Sequence, residues 1–135
     1  MKWRWWRTSD EMAANFTANR APESDTAYLA ECGLPTTPIA QQVAVAVRRS
    51  VASYGMIESA FIRAADRYPD QLIDLSGWDS LDFVDWIFAL ERELDMTIPL
   101  AAFKDIRSPF SVADLAQAVL AFVEQRAGSK ASRSG

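Results

Sequence analysis

Apolar residues recur at Ile39, Val43, Val47, Val51 and Tyr54, with Ala46 alongside. This period predicts a helix, entered through Pro35 and Pro38 and stopped by Gly55. A second helix is predicted from Ser80 to Leu94. At about 100° per residue, Phe83, Trp86, Ile87, Leu90 and Leu94 fall on one stripe, the expected core face. Leu81, Val84 and Phe88 fall on a second stripe, and Asp82 and Asp85 lie off both. Pro99 suits the first turn of a short helix, Pro99 to Lys104. Ser108-Pro109-Phe110-Ser111 then ends one element and caps the next. In that last helix Val112, Leu115, Ala116, Val119, Phe122 and Val123 face inward.

Connections and the N-terminal region read less regularly. Residues 55–78 form a long connection, in which Ile57, Phe61 and Ile62 suggest a helical turn and Tyr68 and Leu72 pack inward. Upstream, Thr8 and Glu11 have capping-box spacing, so a helix is expected over residues 9–19. Arg20-Ala21-Pro22 breaks it. Ser24-Asp25 caps a short helix through Cys32, which Gly33 ends. Val43-Ala44-Val45-Ala46-Val47 alternates like a strand, but the surrounding helical period fits better. The expected fold class is all-α. Residues 1–35 form an N-terminal extension, 36–126 the main domain and 127–135 a disordered tail.

Composition narrows the chemistry. The 135 residues include one cysteine, Cys32, and no histidine. Ser-His and Cys-His catalysis, histidine metal ligation and cysteine zinc sites are therefore absent. Cys32 reads as a small packing residue, and a reducing compartment fits. No glycine-rich phosphate loop is present. The carboxylates are explained by solvated helix faces, so no catalytic residue and no metal ligand is assigned, and the chain is not read as an enzyme. No apolar run approaches the ~20 residues that span a bilayer, and no signal peptide is seen. The expectation is a soluble, cytoplasmic monomer.

Net charge is −4 and unevenly spread. Residues 70–105 hold nine acids and two bases, −7, so the remainder carries +3. An acidic region around Ser80 suggests basic partners and argues against nucleic acid. Ser80 opens a helix, where free backbone N–H groups favour an attached anion. The second stripe is more apolar surface than a solvated helix needs. It is either a docking patch or a second buried face under the N-terminal extension.

The stretch Gly77-Trp78-Asp79-Ser80-Leu81-Asp82, followed by Val84, Ala89-Leu90-Glu91, Glu93, Asp95 and Ile98-Pro99, resembles the acyl carrier protein family. The resemblance extends over roughly Thr36 to Val123. It implies a four-helix bundle with a short third helix, joined here to an N-terminal helical extension. It implies 4'-phosphopantetheine as a covalent cofactor on Ser80, flanked by Asp79 and Leu81. An acyl group would be carried as a thioester, sheltered between the second and third helices, and delivered to enzymes of fatty-acid, lipid or specialised-metabolite synthesis. Asp82, Val84, Asp85, Phe88 and Glu91 would dock partners: a phosphopantetheinyl transferase, and acyl-transferring or acyl-modifying enzymes with basic patches. Tyr68 stands where the family usually keeps a phenylalanine, and residues 69–76 lengthen the loop.

Two other readings are open. The chain is alternatively an unmodified interaction module of the same fold, which Trp78 beside Ser80 would suit. Or Met1-Lys2-Trp3-Arg4-Trp5-Trp6-Arg7 makes it a membrane-surface adaptor, since tryptophan and arginine suit the headgroup region. The plainer reading of residues 1–7 is a tail that is mobile or folds back over the core.

Overall fold

A computed structural model describes residues 14–18, 20–68, 70, 72 and 80–134; for 80–82 and 128–134 the description is of the backbone alone. Expectations for the Thr8–Glu11 capping box, residues 1–7, the Gly77–Asp79 stretch and most of the 69–79 loop fall outside these residues.

The described residues are mostly helical. Helix α1 is Asp25–Cys32, α2 is Pro38–Gly55, α3 is Ser80–Leu94 and α4 is Val112–Ser134. Residues 14–17 are also helical, inside the first helix expected from sequence. Local chemistry sets most of the boundaries. The Ser24 Oγ accepts from the Ala27 N–H at 3.2 Å, and Gly33 leaves α1 at φ 72°. Thr37 caps α2 with Oγ1 accepting from the Ala40 N–H at 3.3 Å, and Pro38 follows at a position that needs no donor. At the other end of α2 the left-handed residue is Met56, φ 61°, one beyond the glycine expected to stop the helix. Its N–H donates to the Ser53 carbonyl at 3.2 Å and that of Ile57 to Ala52 at 3.0 Å. This is the Schellman pattern with methionine in glycine's usual place.

Three connecting elements refine the sequence reading. The short third helix is a 3-10 turn, Leu100–Phe103, with Pro99 just before it. Its bonds run from Ala102 to Pro99 and from Lys104 to Ala101, three residues apart, as that geometry requires. A second 3-10 turn spans Ser59–Phe61. The third element was not expected. Strand β1, Arg67–Tyr68, pairs antiparallel with β2, Phe110–Ser111, in the register Arg67↔Ser111 and Tyr68↔Phe110. Two residues per strand are too few to show alternation in a sequence.

Helix α4 hangs from this bridge. The Val112 and Ala113 N–H groups, unpaired within the helix, donate to the Asp66 and Ala64 carbonyls at 2.9 and 3.0 Å. Ser111 and Asp114 cap each other reciprocally at 2.9 and 3.0 Å. At its far end the backbone stays helical to Ser134, through residues expected to form a disordered tail. Gly128 weakens a helix there by about 1 kcal/mol but does not end one. Val123 is the last buried side chain among the described residues.

Helix α2 is the axis, against which α1, α3, α4 and the 59–61 turn all pack. It is buried on more than one face: Val43, Val47 and Val51 as expected, but also Ala40, Ala44, Arg48, Ser50 and Ala52. Ile39, expected on the core face, is exposed. Small residues on the extra faces let neighbouring helices approach. Phe16, Tyr28 and Cys32 join the same core as Leu90 and Leu115, so residues 14–35 pack as part of the body rather than as an appendage.

A polar network fixes that attachment. Arg48 is 1 % exposed, stacks on the Tyr28 ring at 4.7 Å and donates four hydrogen bonds. Nε reaches the Ile62 carbonyl at 2.9 Å, Nη1 the Asp25 carboxylate at 2.7 Å, and Nη2 the carbonyls of Glu23 and Ala60 at 2.8 and 3.0 Å. Arg20 grips Asp66 bidentately at 2.7 and 2.9 Å. Arg63 pairs with Glu23 at 3.0 Å, and its backbone N–H donates to Asp66 at 2.8 Å. Tyr28 donates to the Ala44 carbonyl at 2.8 Å. Burial pushes its hydroxyl far above the ordinary phenol range, so it stays a donor. Burial likewise raises the Cys32 thiol, which keeps it an inert packing group.

Candidate functional site: the N-terminus and outer face of α3

Helix α3 carries most of the sequence-derived site. Ser80 is its first residue and Leu81 and Asp82 complete the first turn. The N-terminal N–H groups of that turn and the helix dipole favour an anion at this end. Asp79 lies outside the described residues.

The inner stripe of α3 holds the helix in place. Trp86 and Leu90 are fully buried, Ile87 nearly so, and Phe83 and Leu94 partly. The Trp86 indole Nε1–H donates to the Ser50 Oγ at 2.9 Å, and Ser50 donates onward to the Val47 carbonyl at 2.8 Å. A buried indole N–H thus finds its partner on α2. Around Trp86 the rings interlock edge to face. Phe83 lies 5.4 Å from Trp86 and 5.3 Å from Phe103, and Trp86 lies 5.3 Å from Phe103. Phe110 sits 6.4 Å from Phe83 and 5.7 Å from Tyr68. Tyr68 therefore sits at the edge of this cluster.

The second stripe divides. Phe88 is 53 % exposed, a large apolar side chain open to solvent. Val84 is half-buried and Asp85 is exposed. Helix α1 packs on α2 and α4. Of the two readings of the stripe, a second buried face fails at Phe88. Asp82 shares the first turn by backbone position only.

Glu91 is placed differently from the expectation of a free docking acid. It is half-buried, and its Oε2 accepts from the Ile98 N–H at 2.7 Å. The carboxylate thereby pins the 95–99 connection, where Asp95 takes φ 52° and Met96 donates to the Glu91 carbonyl at 3.3 Å. Seven residues separate the partners, so helical spacing alone could not reveal the pair. Arg92 and Asp95 are exposed beside Phe88. The outer face thus combines an aromatic side chain with mixed, mainly acidic charge.

A groove lies elsewhere on the molecule. It measures ≈ 690 Å³ and runs between residues 99–107 and α4, over Ala102, Ile106, Ala118, Ala121 and Phe122. Among the described side chains, none of α3 lines it. Sequence reasoning also missed the buried arginine network. One signal was available: Arg48 stands at i+4 from Ala44 and i−3 from Val51, on an otherwise apolar face. Among the described residues no helix is long and apolar enough to cross a membrane. Compared with protein-family models, curated proteins and solved structures, the chain gives no significant match.

Proposed function

We propose that this chain is an acyl-carrier-type protein, modified on Ser80 with 4'-phosphopantetheine. The observation that carries the reading is the position of Ser80 as the first residue of α3, within the Asp79-Ser80-Leu81-Asp82 sequence. In this reading α2, α3, the 100–103 turn and α4 correspond to the four helices of a carrier bundle. The attached phosphodiester gains from the helix N-terminus. The Ser80 oxygen bonds to phosphorus of coenzyme A, the nucleotide half leaves, and the hydroxyl proton is lost. In this reading the chain is the substrate of a transferase. Phe88 and Val84 form the apolar centre of the docking face, with Asp85 at its rim. The exposed acids speed encounter with a basic partner. Glu91 serves this face indirectly, by holding the connection beyond it.

Incubation with coenzyme A and a broad-specificity phosphopantetheinyl transferase should add one arm by intact mass. Ser80→Ala should abolish the addition and leave the circular dichroism and thermal unfolding unchanged. An unmodified wild-type mass with several such transferases sinks the reading. An unmodified mass in protein purified from its native cell would instead favour the interaction module.

A further inference from the structure

The place where a carried chain would shelter lies between α3 and the 100–103 turn, and in this chain it is occupied. Phe83, Trp86 and Phe103 fill it, each ring within 5.3 to 5.4 Å of the other two. Trp86 is fully buried, Phe103 is 5 % exposed, and Phe110 at 6 % backs Phe83. The Trp86 indole cannot swing aside freely, because its N–H is tied to Ser50 on α2. Nor can the turn move away easily. Ile98, just before it, is held to α3 by the Glu91 carboxylate. Interiors packed at crystal-like density admit a guest only by displacing residents. Here the residents are rings in favourable edge-to-face contact.

Resting on the carrier reading of Ser80, we infer that the cargo is a short or polar acyl group that stays in solvent. A long aliphatic chain would lie unprotected outside the bundle, with its apolar surface in water. A small or polar group loses little by exposure and is open to partner enzymes. The three rings act as a plug that sets this substrate class.

The test does not depend on a transferase. Ser80→Cys in a Cys32→Ser background offers one thiol for a maleimide that bears an acetyl or octanoyl thioester on a pantetheine-length linker. Hydroxylamine cleavage of each thioester is followed by mass and compared with the same reagent on glutathione. We expect the octanoyl and acetyl conjugates to be cleaved alike and to melt at the same temperature. A chain sheltered nine-tenths of the time would be cleaved about tenfold more slowly; that result, with a raised melting temperature for octanoyl alone, overturns the inference. So would octanoyl-dependent amide shifts at Ala118, Ala121 and Phe122, which would place the chain in the groove beside α4. The milder variant Phe103→Leu, which keeps an apolar side chain, should gain octanoyl protection relative to its parent. Absence of that gain would show that the rings are not what excludes the chain. Failure of Ser80 to accept phosphopantetheine is read separately and counts against the carrier reading alone.

Discussion

The two sides of α2 are held by different physics. Toward α1 and the 59–66 segment the contacts are directional: Arg48, Arg20 and Arg63 against Asp25, Asp66, Glu23 and five backbone carbonyls. Toward α3 they are mostly apolar and aromatic, with the Trp86–Ser50 bond as the main polar tie among those described. A directional network tolerates few changes, because removing one partner strands the other without water. An apolar interface loses stability in proportion to what is removed. The first side therefore fixes where residues 20–32 go, while the second fixes the phase of α3 and so which of its residues reach solvent.

The largest effect should come from the directional side. Asp66 is 4 % exposed and serves Arg20 twice and the Arg63 N–H once. Asp66→Ala should cost about 3–5 kcal/mol, as loss of one partner of a buried pair does. Urea unfolding checks the size, and repetition in high salt checks the burial, since buried pairs are little screened. A loss below 1 kcal/mol, by the ~0–1 kcal/mol standard of exposed pairs, would reduce the network to surface ion pairing.

Next comes the apolar side. Leu90 is fully buried, so Leu90→Ala should cost about 2–5 kcal/mol. Exposed Asp85 on the same helix should give Asp85→Ala a change within about 0.5 kcal/mol. Equal losses of urea midpoint in the two variants would put the helix phase in error.

Tyr28 sharpens the comparison through pH. Burial raises its pKa above the unfolded phenol value of about 10. Below that value both states are protonated, and the Tyr28 contribution is fully present. Above it the unfolded chain loses the proton while the folded chain keeps it, so stability falls as pH rises. Tyr28→Phe should cost about 1 kcal/mol at pH 7 through the lost bond to Ala44. It should also flatten the alkaline decline in melting temperature. An unchanged decline would assign it to another group; the Cys32 thiol, also raised by burial, is the next to test.

The smallest effect on stability should appear on the outer face of α3. Phe88→Ser removes an exposed ring and should shift stability by no more than about 0.5 kcal/mol. In the carrier reading it should nonetheless slow modification of Ser80 and weaken partner binding. Val84→Asp is a less clean probe, because Val84 is half-buried. Normal modification kinetics in a folded Phe88→Ser variant would remove Phe88 from the docking face.

Local sequence determined the helices and most of their ends. The Ser24 cap, Gly33, and the core stripe through Phe83, Trp86, Leu90 and Leu94 depend on neighbours within a turn, so spacing reveals them. It also marked Ser80 as the start of α3 and Phe88 as an apolar residue off the core stripe. Tertiary structure decided what depends on residues far apart in the chain. Asp66 meets Arg20 across 46 positions, and Arg48 meets Asp25 across 23. No periodicity links such pairs, because the energy that joins them is desolvation and hydrogen bonding in a shared interior. The same holds for the bridge between Tyr68 and Phe110, for Glu91 turned from a rim acid into a backbone clamp, and for the three rings closed between α3 and its neighbouring turn.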